Sequence, residues 1–243
     1  MTVLEHTTST ASRASTASTA STASTASCDQ TSRITKSLLG YGVIAGPVYV
    51  VVSLAQAVTR PGFDLTRHAW SLLSNGDLGW IQITNFVAAG LMTAALAVGL
   101  RRAGASTWTS RLIGVYGVSL IAAGAFRADP ALGFPPGSAS DASTVSWHGM
   151  LHLVSGSVGF LCLIAACLIT GRAFAAQGVR SWAIYSRITG LVFLAGFAGI
   201  ASGSHGTLTT LPFAAAVVVA WSWITALSVR LYRRTARGMA EAA

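Results

Sequence analysis

The chain has very little charge. Charged residues make up 9% of its 243 residues, and only 7 of those residues are acidic. A soluble domain of this length needs more polar surface than that, whereas 52% of this chain is apolar. We therefore predict that lipid, not water, is the solvent for most of the protein.

Cysteine is also scarce. Cys28 lies in a low-complexity stretch, and Cys162 and Cys167 lie on different faces of one apolar run. This spacing excludes a CxxC redox pair and gives no reason to expect a disulfide. The sequence also lacks GxGxxG, P-loop, GxSxG and HExxH motifs, so no nucleotide-binding or familiar hydrolase motif marks a site.

The positive charge is arranged around apolar segments. The net charge is +9, but Lys and Arg form short clusters and no continuous stripe, which argues against nucleic acid as a partner. Each apolar segment is near the roughly 20 residues that a membrane-spanning helix needs. We predict an all-α integral membrane protein, a six-transmembrane helix bundle in the lipid bilayer. The predicted spans are Ser37 to Val58, Trp80 to Leu100, Arg111 to Phe126, His148 to Thr170, Tyr185 to Gly203 and Leu208 to Val229.

The first 36 residues differ in composition from the rest. They carry a tandem Ala-Ser-Thr repeat with almost nothing to bury, so we predict a disordered tail over 1–36. Residues 37–232 form the predicted membrane domain, and 233–243 form a basic cytoplasmic tail. The leader lacks the pattern of a cleavable secretory signal, and a transit peptide would need more arginine than Arg13 and Arg33.

The loop charges predict an orientation. With both termini in the cytoplasm, 13 of the 16 Lys and Arg residues fall on the inner side, and only Arg60, Arg67 and Arg127 fall outside. This is a strong positive-inside bias. We therefore predict a multi-pass protein of the cell membrane with cytoplasmic termini. Two tryptophan pairs match the aromatic belts of the two interfaces: Trp80 with Trp147, and Trp108 with Trp182.

Acids and histidines concentrate on the predicted outer side. Outside the two terminal tails, every acid and every histidine falls there, so the inner loops contain neither. Chance does not readily produce that separation, and we predict a polar vestibule on the outer face. Its predicted lining residues are Trp70, Asn75, Asp77, Arg127 and Ser155.

The first outer loop contains helix signals of its own. Asp64 suits an N-cap, and Asn75 followed by glycine suits a helix end. We predict a short interfacial helix between them, with its apolar side against lipid or the bundle and with His68 and Ser71 facing the vestibule. His68, Ser71 and Asp129 are the candidate catalytic residues.

Asp129 has two interpretations. It precedes Pro130, which favours the end of the third helix, and it lies near Arg127 in sequence. One interpretation is a structural ion pair with Arg127. The other places its carboxylate in the vestibule beside the histidines.

His148 and His152 share one helix face with Ser155. An ionisable group is costly in hydrocarbon, so this face is expected to point into the bundle. The spacing lets both imidazoles bind one metal ion, zinc or another transition metal, and His205 or, alternatively, His68 is the candidate third ligand. Structural hydrogen bonding and the handling of protons or ligands are the alternatives.

Three stretches, in this order, carry a resemblance to a known family. They are RPGFDLTRHAWSLLSNGDLGWIQITNF, FRADPALGFPPG and HGMLHLVSG. Over about residues 38–232 the chain resembles the bacterial six-helix membrane proteins catalogued as domain of unknown function 998. The resemblance implies a six-helix membrane fold in a bacterium and brings no established activity. The positions that match the family's motifs are Pro61, Gly62, Ser71, Leu73, Gly79, Trp80, Asp129, Pro130, His148 and His152.

A looser resemblance is to membrane hydrolases of the ceramidase and progestin-receptor type. Those proteins use a Ser, an Asp and three His around zinc, but they have seven spans and a different order of motifs. We expect a membrane protein whose outer vestibule binds a small or lipid-like ligand. Two alternatives stay open: metal-dependent hydrolysis of a lipid, and proton-coupled transport along a water path past Ser155 and Asn85.

Overall fold

The computed structural model describes the backbone of residues 6–138, 145–203 and 206–241, and the side chains of residues 30–138, 145–203 and 206–238. These residues are all-helical and include no strand. The side chains of the Ala-Ser-Thr repeat lie outside the described set, and the disorder of the tail stays a prediction. The elements are α1 (His6–Thr59), a 3-10 helix (Trp70–Ser74), α2 (Gly79–Arg102), α3 (Thr107–Ala125), α4 (Trp147–Ala176), α5 (Arg180–Ala201) and α6 (Thr207–Glu241).

Five of the described helices are long and apolar enough to cross a membrane. They are the Gln30–Thr59 part of α1, then α2, α4 and α5, and the Thr207–Gly238 part of α6. The first two turns of α3 contain Thr107, Thr109, Ser110 and Arg111, and this polar start takes α3 below the hydropathy that the others reach. Five of the six predicted spans therefore coincide with helices that could cross a membrane, and the sixth span stays a prediction.

The outward surface of the bundle is apolar, as expected in lipid. Large side chains such as Val51, Val58 and Leu208 expose 64%, 72% and 91% of their surface. Trp80 and Trp147 are exposed near one end of the bundle and Trp108 near the other. Polar side chains such as Gln82 and Ser186 are fully buried instead. The apolar helices and this inverted distribution indicate a multi-pass membrane protein.

The helices form a closed ring. Each helix packs against its neighbours in sequence, and α6 closes the ring by packing against α1. Small residues permit this last contact, since a Cβ added to Gly42 would collide with Ser228 and one added to Gly46 would collide with Thr225. Aromatic rings fill the interior, where Trp221 lies 5.0 Å from Tyr49 between ring centroids.

Successive helices pack along one another in an up-and-down ring, so the bundle has two distinct ends. We call the end formed by residues 60–78 and 126–146 the cap end. We call the opposite end, formed by the 103–106 and 177–179 connections and the C-terminal part of α6, the basic end. All acids with described side chains, Asp64, Asp77 and Asp129, lie at the cap end.

Candidate functional site

The cap end begins with a buried arginine. Arg60 directly follows α1 and is only 9% exposed. Its guanidinium donates to the carbonyl oxygens of Leu73, at 3.0 Å, and Asn75, at 2.6 Å. It also lies 5.2 Å from the ring centroid of Phe134 in the second loop. Burial lowers the pKa of the Arg60 guanidinium, and the nearby Asp77 carboxylate opposes that effect. Arg60 therefore holds both cap-end loops onto the end of α1.

The first loop does not form the predicted surface helix. Asp64 closes a single turn, in which its carbonyl accepts from the amides of Arg67 and His68. The Asp64 carboxylate accepts from the amide and hydroxyl of Thr66, and these hydrogen bonds lower the pKa of Asp64. The following 3-10 helix has only five residues, and Trp70, Leu72, Leu73 and Ser74 in it are buried. Four of its five residues are buried and it packs against α1 and α2, so the segment belongs to the bundle interior and not to the membrane surface.

His68 joins the two cap-end loops. Its Nδ1 accepts from the amide of Asp64 at 2.9 Å, which requires the proton to be on Nε2. Nε2 then donates to the carbonyl of Leu132 at 3.2 Å. The ring lies between Phe63 and Phe134, with centroids 5.2 and 5.5 Å away. Both nitrogens of this buried imidazole are thus engaged by backbone groups, and the predicted catalytic residue has the contacts of a structural one.

Asp129 lies at the start of α4. Its carboxylate accepts from both the amide and the hydroxyl of Ser146. Ser146 is the N-cap of α4, and its Oγ accepts from the amide of Gly149 at 3.0 Å. A Cβ on Gly149 would collide with the Asp129 carboxylate, so glycine is needed for this close approach. The arrangement puts a negative charge where the helix dipole favours it.

The two histidines of α4 point to different surroundings. His152 is buried, and its Nδ1 lies 3.0 and 2.9 Å from the carbonyl oxygens of Ala123 and Phe126 at the end of α3. Nδ1 therefore carries the proton, which leaves Nε2 as an acceptor without a hydrogen-bond partner among the described residues. His148 is exposed and stacks on Trp147, with centroids 3.5 Å apart.

The structure does not assemble a metal site from the residues it describes. No group of three His, Cys, Asp or Glu within them could hold a metal ion. His205, the predicted third ligand, lies outside the described residues, so the set of His148, His152 and His205 stays a prediction.

The remaining predicted residues are spread over the cap end. Asn75 is buried and donates through Nδ2 to the carbonyl of Leu72. Ser71 is half-buried, and its carbonyl accepts from the Ser74 hydroxyl. Asp77 and Arg127 are exposed, and Ser155 is half-buried in α4.

A buried polar cluster lies beneath the cap, and of its residues only Asn85 was predicted to belong to a polar path. We define the polar cluster as Ser53 and Gln56 of α1 with Gln82 and Asn85 of α2, all less than 9% exposed. Gln82 Oε1 accepts from Gln56 Nε2 at 2.8 Å, and Asn85 Nδ2 donates to Ser53 Oγ at 3.1 Å. Ser53 and Gln56 lie three residues apart in α1, and Gln82 and Asn85 lie three residues apart in α2. This spacing places the two polar residues of each helix on one face. That spacing is the signal that would have identified the cluster.

The cluster has acceptor capacity left over. Asn85 Nδ2 also donates to the carbonyl of Tyr49, and Gln56 Nε2 donates to that of Val52. Since a carbonyl oxygen can only accept, these bonds determine which end of each amide is nitrogen. Gln56 Oε1 and Asn85 Oδ1 are then buried acceptors with no hydrogen-bond partner among the described residues. Trp70 Nε1, on the neighbouring 3-10 helix, is a buried donor that also has no hydrogen-bond partner among the described residues.

Comparison with known proteins adds a family and no function. A family model described as "Protein of unknown function (DUF998)" matches residues 43–230, which include the cap-end loops, the polar cluster and at least part of every helix. No curated protein and no solved structure matches the chain.

Proposed function

We propose that this chain, which belongs to the DUF998 family of proteins of unknown function, is a multi-pass membrane protein that binds a small or lipid-like ligand beneath its cap end. The observation that supports this best is the pair of buried acceptor oxygens, Gln56 Oε1 and Asn85 Oδ1, without a donor among the described residues. A buried polar group without a partner costs about 1–3 kcal/mol. A ligand that donates hydrogen bonds removes that cost.

The polar cluster selects the chemistry of the ligand. Its four side chains are amides and a hydroxyl, and none of them is charged. Two open acceptors favour a hydroxyl or amine group, and the Trp70 indole can donate to an acceptor on the same molecule. Ordered water is the competitor for these positions, and a ligand must reproduce its hydrogen bonds to displace it. We propose the polar head of a lipid, or a small amine or polyol, as the ligand.

The proposed topology places this site near the outer surface of a bacterial cell membrane. In this topology α3 also crosses the bilayer and completes the set of six spans. It packs between α2 and α4, which are both long enough to cross the bilayer. Both termini then lie at the basic end, in the cytoplasm, in agreement with the positive-inside rule. Gln82 lies in the first turn of α2 and Gln56 in the last turn of α1, so the polar cluster is at headgroup depth.

Residues of the cap end support the site in this proposal. Arg60 and His68 hold the loops that cover it, through hydrogen bonds to the carbonyl oxygens of Leu73 and Leu132. Asn75 and Trp70 belong to the buried part of that cover. We assign no catalytic role to His68 or Asp129, because their hydrogen bonds are used within the fold.

A pair of lipids tests the proposal. Phosphatidylethanolamine has an ammonium that donates hydrogen bonds, and phosphatidylcholine has the same phosphate and no donor. We expect phosphatidylethanolamine to raise the Tm of the full-length protein in neutral detergent more than phosphatidylcholine does. The difference is expected to disappear in Gln56→Leu and in Asn85→Leu.

The control variant is Thr93→Val. It removes another fully buried polar group from α2, one whose hydroxyl donates within its own helix, outside the polar cluster. It is expected to lower the Tm and to keep the difference between the two lipids. Equal Tm shifts from both lipids in wild type would reject the proposal.

Metal-dependent hydrolysis of a lipid is the alternative, and His152 Nε2 is the observation that favours it. This nitrogen is an acceptor without a hydrogen-bond partner among the described residues. Metal analysis of the purified protein separates the two functions. About one transition-metal ion per chain, absent from a His148→Ala/His152→Ala variant, would support the enzyme. An absence of metal in both proteins, after reconstitution with zinc, would reject it.

A further inference from the structure

The basic end contains a cavity that the cap-end site does not explain. Its volume is about 900 Å³, within the range of small-molecule binding sites. It is lined by α3, α4, α5 and α6 and by the connection between α2 and α3. It therefore opens inside the helix ring, at the end opposite to the polar cluster.

One face of α6 supplies the charge of this cavity. Arg230, Arg233, Arg234 and Arg237 all line it. Their spacing of three, four and seven residues from Arg230 is that of a single helix face. No acidic residue is among the described residues that line the cavity. Four guanidinium groups around one uncompensated space create a strongly positive potential there.

Arg230 is held in place by aromatic rings. Its guanidinium carbon lies 5.2 Å from the ring centroid of Phe174 in α4 and 5.1 Å from that of Trp182 in α5. It is half-buried, whereas Arg233, Arg234 and Arg237 are exposed. Stacking on rings leaves the N–H groups at the edge of the guanidinium free to donate. A side chain ordered before binding loses less entropy when a ligand arrives.

The walls provide polar groups and space at the same time. Thr109 and Thr170 are buried, and their hydroxyl oxygens lie 3.1 Å apart at the interface of α3 and α4. Ala103, Ala173 and Ala226 line the cavity with little bulk. An anion can therefore enter from the arginine side and extend along small apolar residues between the helix ends.

We propose that this cavity binds a molecule carrying a phosphate group, with Arg230 as the anchoring residue. Arg233, Arg234 and Arg237 form the mouth of the site and attract the anion. Planar guanidinium groups match the oxygens of a phosphate and bind it in pairs of hydrogen bonds. The phosphate can belong to the headgroup of an anionic phospholipid of the adjoining leaflet or to a soluble phosphate compound. The proposal rests on residues separate from the polar cluster and stands or falls independently of it.

Binding measurements on the full-length protein in neutral detergent test this. The probes are phosphatidylglycerol, phosphatidylcholine and pyrophosphate, with bound molecules counted by native mass spectrometry and affinities taken from Trp fluorescence. We expect one phosphatidylglycerol per chain, and weaker binding of phosphatidylcholine. Arg230→Gln and the triple variant R233Q/R234Q/R237Q are each expected to weaken binding about tenfold or more. Arg230→Lys keeps the charge without the planar fork and is expected to fall between wild type and Arg230→Gln.

The matched control is the triple variant R101Q/R102Q/R111Q. It removes the same charge from the same end, but none of its residues lines the cavity, and we expect wild-type affinity. Pyrophosphate binding as tight as that of phosphatidylglycerol would support the site with a soluble ligand. Equal weakening in the two triple variants would show attraction by surface charge alone and overturn the proposal. So would the absence of binding by all three probes to a wild-type protein of normal Tm.

Discussion

The two ends of the bundle use arginine in opposite ways. At the cap end, Arg60 is buried beneath the first loop, and its guanidinium donates to two backbone carbonyls of that loop. At the basic end, Arg233, Arg234 and Arg237 are exposed around a cavity whose described lining has no acid. An arginine whose donors are used inside the fold contributes stability, whereas one whose donors face an open cavity is available to a ligand.

Two histidines of the cap end show the same distinction. His68 has both nitrogens engaged by backbone groups from two loops. His148, at the start of α4, is exposed, and its ring lies against Trp147 and Phe126 without a side-chain hydrogen bond among the described residues. Residue type and position near the cap do not distinguish the structural histidine from the exposed one. The hydrogen bonds of their ring nitrogens do distinguish them.

The sharpest test of the comparison is one arginine from each end. Arg60→Met removes the buried donors and leaves the carbonyls of Leu73 and Asn75 without partners, so we expect a loss of about 3 kcal/mol in the free energy of unfolding. Arg234→Met removes an exposed arginine and is expected to change stability by less than about 0.5 kcal/mol. Chemical unfolding in detergent measures both. Similar losses in the two variants would break the comparison.

Histidine substitutions give a smaller effect. His68→Phe preserves the ring and deletes the bridge from Asp64 to Leu132, and we expect a loss of about 2 kcal/mol. The same substitution at exposed His148 is expected to stay within about 0.5 kcal/mol of wild type. Thermal unfolding of the two variants side by side checks this. A larger effect at His148 would point to a role for it that the described contacts do not contain.

Substitutions of the helix N-caps compare the two ends again, with a smaller expected change in the free energy of unfolding. Ser146→Ala removes the side chain that caps α4 and binds Asp129, with an expected loss of about 1 kcal/mol. Ser106 is the N-cap of α3 at the basic end, and its side chain makes no capping hydrogen bond. Ser106→Ala is therefore expected to have the smaller effect of the two. A reversed order in the unfolding measurements would contradict the assignment of these caps.

The smallest expected effect is a pH dependence at Asp64. Hydrogen bonds from Thr66 lower the pKa of this carboxyl below its ordinary value of 3.8. A carboxyl with a lowered pKa in the folded state adds stability above its unfolded pKa and loses that contribution as the pH falls through the folded pKa. We expect Asp64→Asn to lower the Tm slightly at pH 7 and to converge with wild type below pH 3.8. A difference that stays constant down to pH 3 would contradict this.

The sequence predicted where the apolar helices are, and five of them are long and apolar enough to span a membrane. The family resemblance is confirmed over residues 43–230. The predicted surface helix in the first outer loop is instead a turn and a buried 3-10 helix, because Trp70 and Leu73 find space in the bundle that no local pattern describes. The ligand vestibule and the metal ligands stay predictions.

By itself, the sequence determined the all-helical class, the apolar segments and the absence of acids from the arginine-rich inner loops. Each of these features depends on a segment of about 20 neighbouring residues or fewer, and the hydrophobicity and charge of such a segment follow directly from its sequence. Only the tertiary structure decided which polar groups are satisfied. His68 meets a carbonyl 64 residues away, and Gln56 meets an amide 26 residues away. Such partners depend on how the helices and loops pack together. The same packing gives both ring nitrogens of His68 a hydrogen-bond partner and leaves Gln56 Oε1 and Asn85 Oδ1 without one among the described residues.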